Sequence, residues 1–263
     1  MKNVAKRANK RNPRVDRNIE PQNPRDNYRR KDHLNLISSD DDFSSFPRKK
    51  RIEMIPRNIS QEIFIDALTD DSKTVVIAVG PAGVGKSFLQ VLHCIKQFQE
   101  KQVDKIVIVR PVITADGSNL GALPGNIIDK IGPYLGEVMS ILKEYLGVKT
   151  VLHMLENELI EIIPIALIRG RSLRRCAVIL EECQNIEDHV AKLILTRIGE
   201  GTRMYINGDI NQADRGFNGL RSLIQRLEKY GKTEHFAVCY FNKDDVERHP
   251  VVAEVLRIFE EED

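Results

Sequence analysis

The sequence predicts an α/β fold of three layers, with a mostly parallel central sheet between two layers of helices. Three observations carry that prediction. Short apolar runs rich in β-branched residues recur at Thr74–Val79, Lys105–Val109, Ile160–Ile163, Ala177–Leu180, Arg203–Ile206 and Phe236–Tyr240. Stretches with helical spacing separate them. The first run enters a helix through a turn with three glycines in six positions, Gly80, Gly83 and Gly85. Runs that are apolar throughout, rather than alternating, suit parallel strands buried on both faces.

The elements follow in order. Residues 1–51 hold 15 Lys and Arg against 7 Asp and Glu, interrupted by Pro13, Pro21, Pro24 and Pro47. They offer too little apolar surface to offset chain entropy, so they are expected to form a disordered basic arm. Residues 52–263 hold 25 Lys and Arg against 31 Asp and Glu, so the basic excess is confined to the arm. Its Arg48–Arg51 cluster suits phosphate contact without sequence preference. The domain is expected over 56–263. Ile63, Phe64, Ala67 and Leu68 fall on one face of its first helix. Helical spacing returns at Phe88–Phe98, at 127–146 with a break near Gly132 and Pro133, and at Asp188–Ile198, Leu220–Lys229 and Val251–Phe259.

Composition excludes several classes. No apolar run approaches the roughly 20 residues that span a bilayer, and the N-terminus has no apolar signal segment. Cys94, Cys176, Cys183 and Cys239 form no C-x-x-C pair and have no histidine at zinc-finger spacing. Reduced, packed thiols are the expected state.

Residues 80–87 read Gly-Pro-Ala-Gly-Val-Gly-Lys-Ser, the G-x-x-x-x-G-K-[ST] pattern, between an expected strand and an expected helix. That context is what a phosphate-binding P-loop requires. Glycines at 80, 83 and 85 let the backbone, with Pro81, Ala82 and Val84, turn its N–H groups toward phosphate oxygens. The following helix, with Phe88 in its first turn, adds its positive dipole end. Lys86 is expected on the β- and γ-phosphates, and Ser87 on Mg²⁺. The implied ligands are a purine nucleoside triphosphate, identified as ATP by the family resemblance given below, and Mg²⁺.

The run Ala177–Leu180 ends in Glu181 and Glu182. Parallel strands end at one sheet edge, so these carboxylates are expected opposite the P-loop. Glu181 is assigned to Mg²⁺ and Glu182 to activating water. Glu181 is one methylene longer than an aspartate, about 1.5 Å of extra reach, and Mg²⁺ is strict about geometry. Asn207–Gln212 follows another strand, and Asp209 and Gln212 are candidates for reading the γ-phosphate. Gln61 is a candidate for bidentate pairing with adenine N6 and N7. Arg110, Arg169, Arg171, Arg197, Arg221 and Arg248 lie by strand ends or loops. At least one is expected near the phosphates, with Arg221 and Arg248 chosen as catalytic candidates. His249 is read as structural.

These motifs, taken in order from Pro56 to Phe259, resemble the PhoH-like family of P-loop ATPases, whose core is similar to the first RecA-like domain of superfamily one helicases. The carriers are GPAGVGKS (80–87), RP (110–111), LGALPG (120–125), KIGPY (130–134), IEIIPIALIRGRSL (160–173), ILEECQN (179–185), LTRIG (195–199), NGDINQAD (207–214), NGLR (218–221) and DVERHP (245–250). The resemblance implies a three-layer RecA-like fold, ATP hydrolysis, a link to RNA or DNA, and a homo-oligomeric ring, a hexamer. The family's Asp-Glu-Ala-Gln-Asn is Glu181-Glu182-Cys183-Gln184-Asn185 here, and the segment after Pro111 lacks the family's glutamates. No nuclease-type PIN domain is expected in the leading 51 residues. The compact form resembles phage-encoded members, which implies the bacterial host cytoplasm. One RecA-like domain alone leaves the site needing an arginine from a neighbouring subunit, which favours a ring. Two other functions fit the same motifs. One is a nucleotide-gated scaffold with little hydrolysis. The other is a small-molecule kinase, with RGRSLRR (169–175) as a lid.

Overall fold

The computed structural model describes residues 51–111, 136–212, 218–246 and 251. The basic arm up to residue 50, the 112–135 segment, Arg248, His249 and nearly all of the expected Val251–Phe259 helix lie outside the described residues.

Six strands form one sheet: β1 (Val75–Val79), β2 (Lys105–Arg110), β3 (Ile160–Pro164), β4 (Cys176–Leu180), β5 (Arg203–Gly208) and β6 (Phe236–Tyr240). Their order is β3-β2-β4-β5-β1-β6, and each pairing is parallel. The helices are α1 (Ile59–Thr69), α2 (Lys86–Gln99), α3 (Gly136–Leu146), α4 (Val148–Glu156), α5 (Asp188–Leu195) and α6 (Gly219–Tyr230).

The inner strands β1, β2, β4 and β5 bury both faces, as their composition requires, while the edge strands β3 and β6 are partly open. On one face Val76, Ala78, Ile106, Ile108, Ala177, Ile179 and Tyr205 meet Phe64 of α1, Leu92 of α2, Leu142 of α3 and Met154 of α4. On the other, Ile77, Val107, Val178 and Ile206 meet Ile194 of α5 and Leu220 of α6. This is the three-layer arrangement around a parallel sheet expected from the sequence. Among the described residues, no helix is long and apolar enough to cross a membrane. All four cysteines are buried and unpaired, and burial pushes their thiols up, Cys183 to about 12 and Cys239 to about 11.

Three elements differ from expectation. Helix α4 has no counterpart in the sequence reading; its inward residues Val151 and Met154 are buried. Helix α5 stops at Leu195, short of Ile198. There Leu173 forms a parallel bridge with Ile198, donating to Arg197 O and accepting from Gly199 N, and this ladder takes the backbone that would have continued the helix. In α1, Phe64 and Leu68 are buried but Ile63 is 55% exposed. The inward face is Gln61, Phe64 and Leu68 instead. Asn58 caps this helix by accepting from Gln61 N, and the Gln61 amide is then drawn inward to a backbone carbonyl described below.

Candidate functional site

The P-loop leaves β1 at the sheet edge where all strands end. Gly85, just before α2, has φ +85°, and a Cβ there would lie 3.0 Å from the Gln61 amide nitrogen. Both facts favour glycine. The Lys86 ammonium donates to Gly80 O at 2.7 Å and Pro81 O at 2.6 Å, folding back on the loop's own carbonyls. Burial pushes the Lys86 pKa down, opposed by the carboxylates of Asp209, Glu182 and Glu137.

A cleft of about 380 Å³ opens here. Gln61, Ala82, Gly83, Gly85, Lys86, Ser87 and Phe88 line one side, and Glu182, Asp209 and Gln212 line the other. Gly80, Pro81 and Val84 sit behind this lining. The first two supply carbonyls to Lys86, and the Val84 side chain is in the core. Gln61 is 5% exposed. Its Oε1 accepts from Arg57 N at 3.0 Å, and its Nε2 donates to Val84 O at 3.1 Å. Each end of the amide keeps one further hydrogen-bonding position, enough for the two-point contact with adenine.

Strand alternation explains what gathers beside Ser87. In β4, Ala177 and Ile179 face α2, so Glu181 continues that face. Tyr205 does so in β5, which places Asn207 there, and Ile106 and Ile108 do so in β2, which places Arg110 there. The contacts agree. Asn207 Nδ2 donates to Ser87 Oγ at 3.2 Å and to Gln90 Oε1 at 3.0 Å, and Gln90 Nε2 donates to Ile206 O at 3.2 Å. Glu181 is 4% exposed. Burial pushes its pKa up, opposed first by Arg110 and then by hydrogen bonds from Ser87 and Asn207.

The Ser87 hydroxyl and the Glu181 carboxylate therefore meet at one point. Two hard oxygen donors beside a phosphate cradle fit Mg²⁺, which binds through one or two protein groups plus phosphates. No group of three or more His, Cys, Asp and Glu side chains able to hold a metal occurs among the described residues. The longer arm of glutamate is used to reach Ser87.

Glu182 sits one residue on, in the left-handed region with φ +55°. For a residue with a side chain this costs about 1–2 kcal/mol, and such strain gathers where function needs an unusual direction. The turn aims its half-exposed carboxylate into the cleft. Gln184 Nε2 donates to Glu182 Oε2 at 2.6 Å, and Gln184 Oε1 accepts from Asp209 N at 3.3 Å. One amide thus ties the end of β4 to the end of β5. Glycine at 208 leaves room for this tie, because a Cβ there would displace Gln184 Oε1 and the end of the Leu220 side chain. Gln212 N donates to Asp209 O at 3.1 Å, which brings both sensor candidates to the cleft wall.

The arginines divide. Arg110 lies 3.5 Å from Glu181 and 3.8 Å from Glu182. Arg171 pairs with Glu161 near the start of β3. Arg197 donates to Leu193 O at the end of α5. Arg221 donates to Ile210 O at 2.8 Å, bracing the loop that carries Asp209. Arg169 is exposed beyond β3, and Arg248 lies outside the described residues. Sequence reasoning assigned no role to Gln90, Glu137, Gln184 and Asn207, or to Ile55 and Arg57 on the cleft wall. Alternation along β5 could have found Asn207. Nothing local marks the others.

A family model described as PhoH-like protein matches residues 53–260. A PhoH-like protein of Mycobacterium bovis is 33% identical over 204 residues, covering 76% of this chain and 56% of that protein. Protein PhoH of Escherichia coli is 34% identical over 208 residues, covering 78% and 58%. A PhoH-like protein of Bacillus subtilis is 34% identical over 188 residues, covering 72% and 59%. Among solved structures, the Pif1 helicase from Candida albicans aligns with a TM-score of 0.34 and 15% identity, over 72% of this chain and 40% of that one. The chain spans little more than half the length of these curated relatives. With the family pattern matched over most of its length and a P-loop cleft at its sheet edge, this chain belongs to the PhoH-like family.

Proposed function

We propose that residues 56–263 form a Mg²⁺-dependent ATPase whose work is directed at RNA or DNA. The observation that carries this reading is the convergence of the P-loop, Glu182 and Gln212 on one cleft. Lys86 leaves the carbonyls of Gly80 and Pro81 for the β- and γ-phosphates. Ser87 and Glu181 hold the metal, and Gln61, fixed by Arg57 N and Val84 O, reads the adenine edge. Mg²⁺, when bound, neutralises charge on the phosphates. Glu182 accepts a proton from water as the water oxygen bonds to the γ-phosphorus and the bond to the β-phosphate oxygen breaks, leaving ADP and phosphate. Asp209 and Gln212, on the loop braced by Arg221, register whether the γ-phosphate is present.

In this reading the basic arm, residues 1–51, contacts nucleic acid phosphates, so that binding weakens as salt rises. A neighbouring copy in a homo-oligomeric ring, a hexamer, supplies an arginine such as Arg248. Turnover per chain then rises with assembly; equal turnover in monomeric and assembled fractions would count against the ring.

The deciding experiment is phosphate release from Mg–ATP by wild type, Lys86→Ala and Glu182→Gln, each with and without RNA. Lys86→Ala is expected to lose nucleotide binding. Glu182→Gln is expected to keep binding while turnover falls about 10²–10⁴-fold, the usual weight of a general base. Unchanged turnover in Glu182→Gln removes it as the base. Tight ATP binding by wild type with no phosphate release in any fraction selects a nucleotide-gated scaffold.

A further inference from the structure

Arg110 closes β2, and β2 lies directly beside β4, with Val109 opposite Leu180. Its guanidinium consequently reaches both carboxylates at the neighbouring strand end. Nη1 is 3.5 Å from Glu181 Oε2, and Nη2 is 3.8 Å from Glu182 Oε1. The two carboxylates differ in surroundings. The Glu181 side chain is 6% exposed, that of Glu182 43%. A buried carboxylate without a counter-charge is strongly unfavourable, and Arg110 is the nearest cation in the position to supply one. Glu182 meanwhile accepts a hydrogen bond from Gln184 on Oε2, and its Oε1 lies 3.8 Å from Arg110, the distance of an ion pair rather than a hydrogen bond.

We infer that Arg110 is the counter-ion of the metal-free site, a positioning residue that holds Glu181 and Glu182 until a divalent cation arrives with the nucleotide. The inference rests on the metal and base roles proposed above. Arg110 and the metal compete for the charge of Glu181. Once that charge is met from the other side, like-charge repulsion pushes Arg110 away from both carboxylates.

The test uses Mn²⁺ as probe, with a non-hydrolysable ATP analogue, and follows free Mn²⁺ by electron paramagnetic resonance. Arg110→Gln is expected to bind Mn²⁺ several-fold more tightly than wild type, because a competing cation is gone. Arg110→Lys keeps the charge and stays close to wild type. In the double variant Arg110→Gln/Glu181→Gln the gain disappears, since the site of competition is removed. Thermal unfolding adds a second readout: Arg110→Gln lowers the midpoint of the metal-free protein, and Mn²⁺ with the analogue closes most of that gap. Weaker or unchanged Mn²⁺ affinity in Arg110→Gln overturns the inference, as does a gain that survives in the double variant. Neither readout needs turnover. A wild type that binds Mn²⁺ and the analogue but releases no phosphate from ATP therefore refutes the hydrolase reading alone. A wild type that binds neither refutes both.

Discussion

The two walls of the cleft are built on different principles. The P-loop wall is a local object. Residues 80–88 are consecutive, and what they offer is mostly backbone shaped by glycine and the start of α2. The carboxylate wall is assembled from a distance. Glu181 and Glu182 depend on Arg110 from β2, Gln184 from the following turn, and Asn207 and Asp209 from β5. Strand β5 lies between β4 and β1, so the strands that carry the carboxylates and the P-loop are not themselves neighbours and meet through β5 and the Asn207–Ser87 contact. The lesson is that phosphate binding and water activation should fail separately when each wall is disturbed.

The sharpest way to break the comparison is Gly208→Ala. The new methyl meets the side-chain ends of Gln184 and Leu220, and overpacking of this kind costs about 1–3 kcal/mol. Chemical unfolding should record that loss, with nucleotide affinity at the P-loop much less affected. Equal loss of affinity and stability would mean that the walls form one unit.

A second perturbation acts midway along α2, away from both walls. His93 is buried against Tyr205, and neither ring nitrogen has a hydrogen-bond partner among the described residues. Burial, aided by the charges of Arg203 and Lys96, pushes its pKa down from 6.5 to about 3. The unfolded chain therefore takes up this proton first, and stability falls as pH drops below 6.5 toward 3. At pH 4.5 the loss from this group is about 2–3 kcal/mol. His93→Phe should lack that part of the acid dependence in urea unfolding at pH 7 and 4.5. Parallel curves for the two proteins would refute a neutral buried imidazole.

Gln184→Ala tests the remote wall more gently. It removes the amide that joins Glu182 to Asp209. Turnover should fall about 20-fold, close to 2 kcal/mol of barrier, with little change in ATP affinity. A fall in affinity with turnover intact would reverse the assignment. Smallest of all, Gly85→Ala disturbs the local wall, where φ is +85°. The strain is about 1–2 kcal/mol, and it should appear in ATP affinity before it appears in global stability. An unchanged affinity would show that the loop tolerates a side chain at its last turn.

The ease of reading followed the same division. The strands were legible because β1, β2 and β4 are apolar at nearly every position, as burial on both faces demands. The P-loop was legible because its spacing is fixed by one turn of backbone. Glu181 and Glu182 were legible only as neighbours of a strand end. That Glu181 turns to Ser87 while Glu182 enters the cleft depends on the left-handed turn at Glu182, which a glutamate does not advertise. The α1 face was misjudged by one position, because Ile63 outranks Gln61 in hydrophobicity. Arg57 N and, from another segment, the carbonyl of Val84 make the buried amide favourable. Helix α5 was read too long for a similar reason, since the competing ladder partner, Leu173, is distant in sequence.

The sequence by itself determined the layers, the parallel sheet, the phosphate loop and the family, because each follows from residues close together or from a repeating pattern of burial. Tertiary structure alone decided which groups meet the two carboxylates: Arg110 and Asn207 gain their partners through strand order and side-chain parity, and Gln184 through the left-handed turn at Glu182. Hydrogen bonds and ion pairs act over a few ångströms, so their partners are known only once distant segments of the chain have been brought side by side.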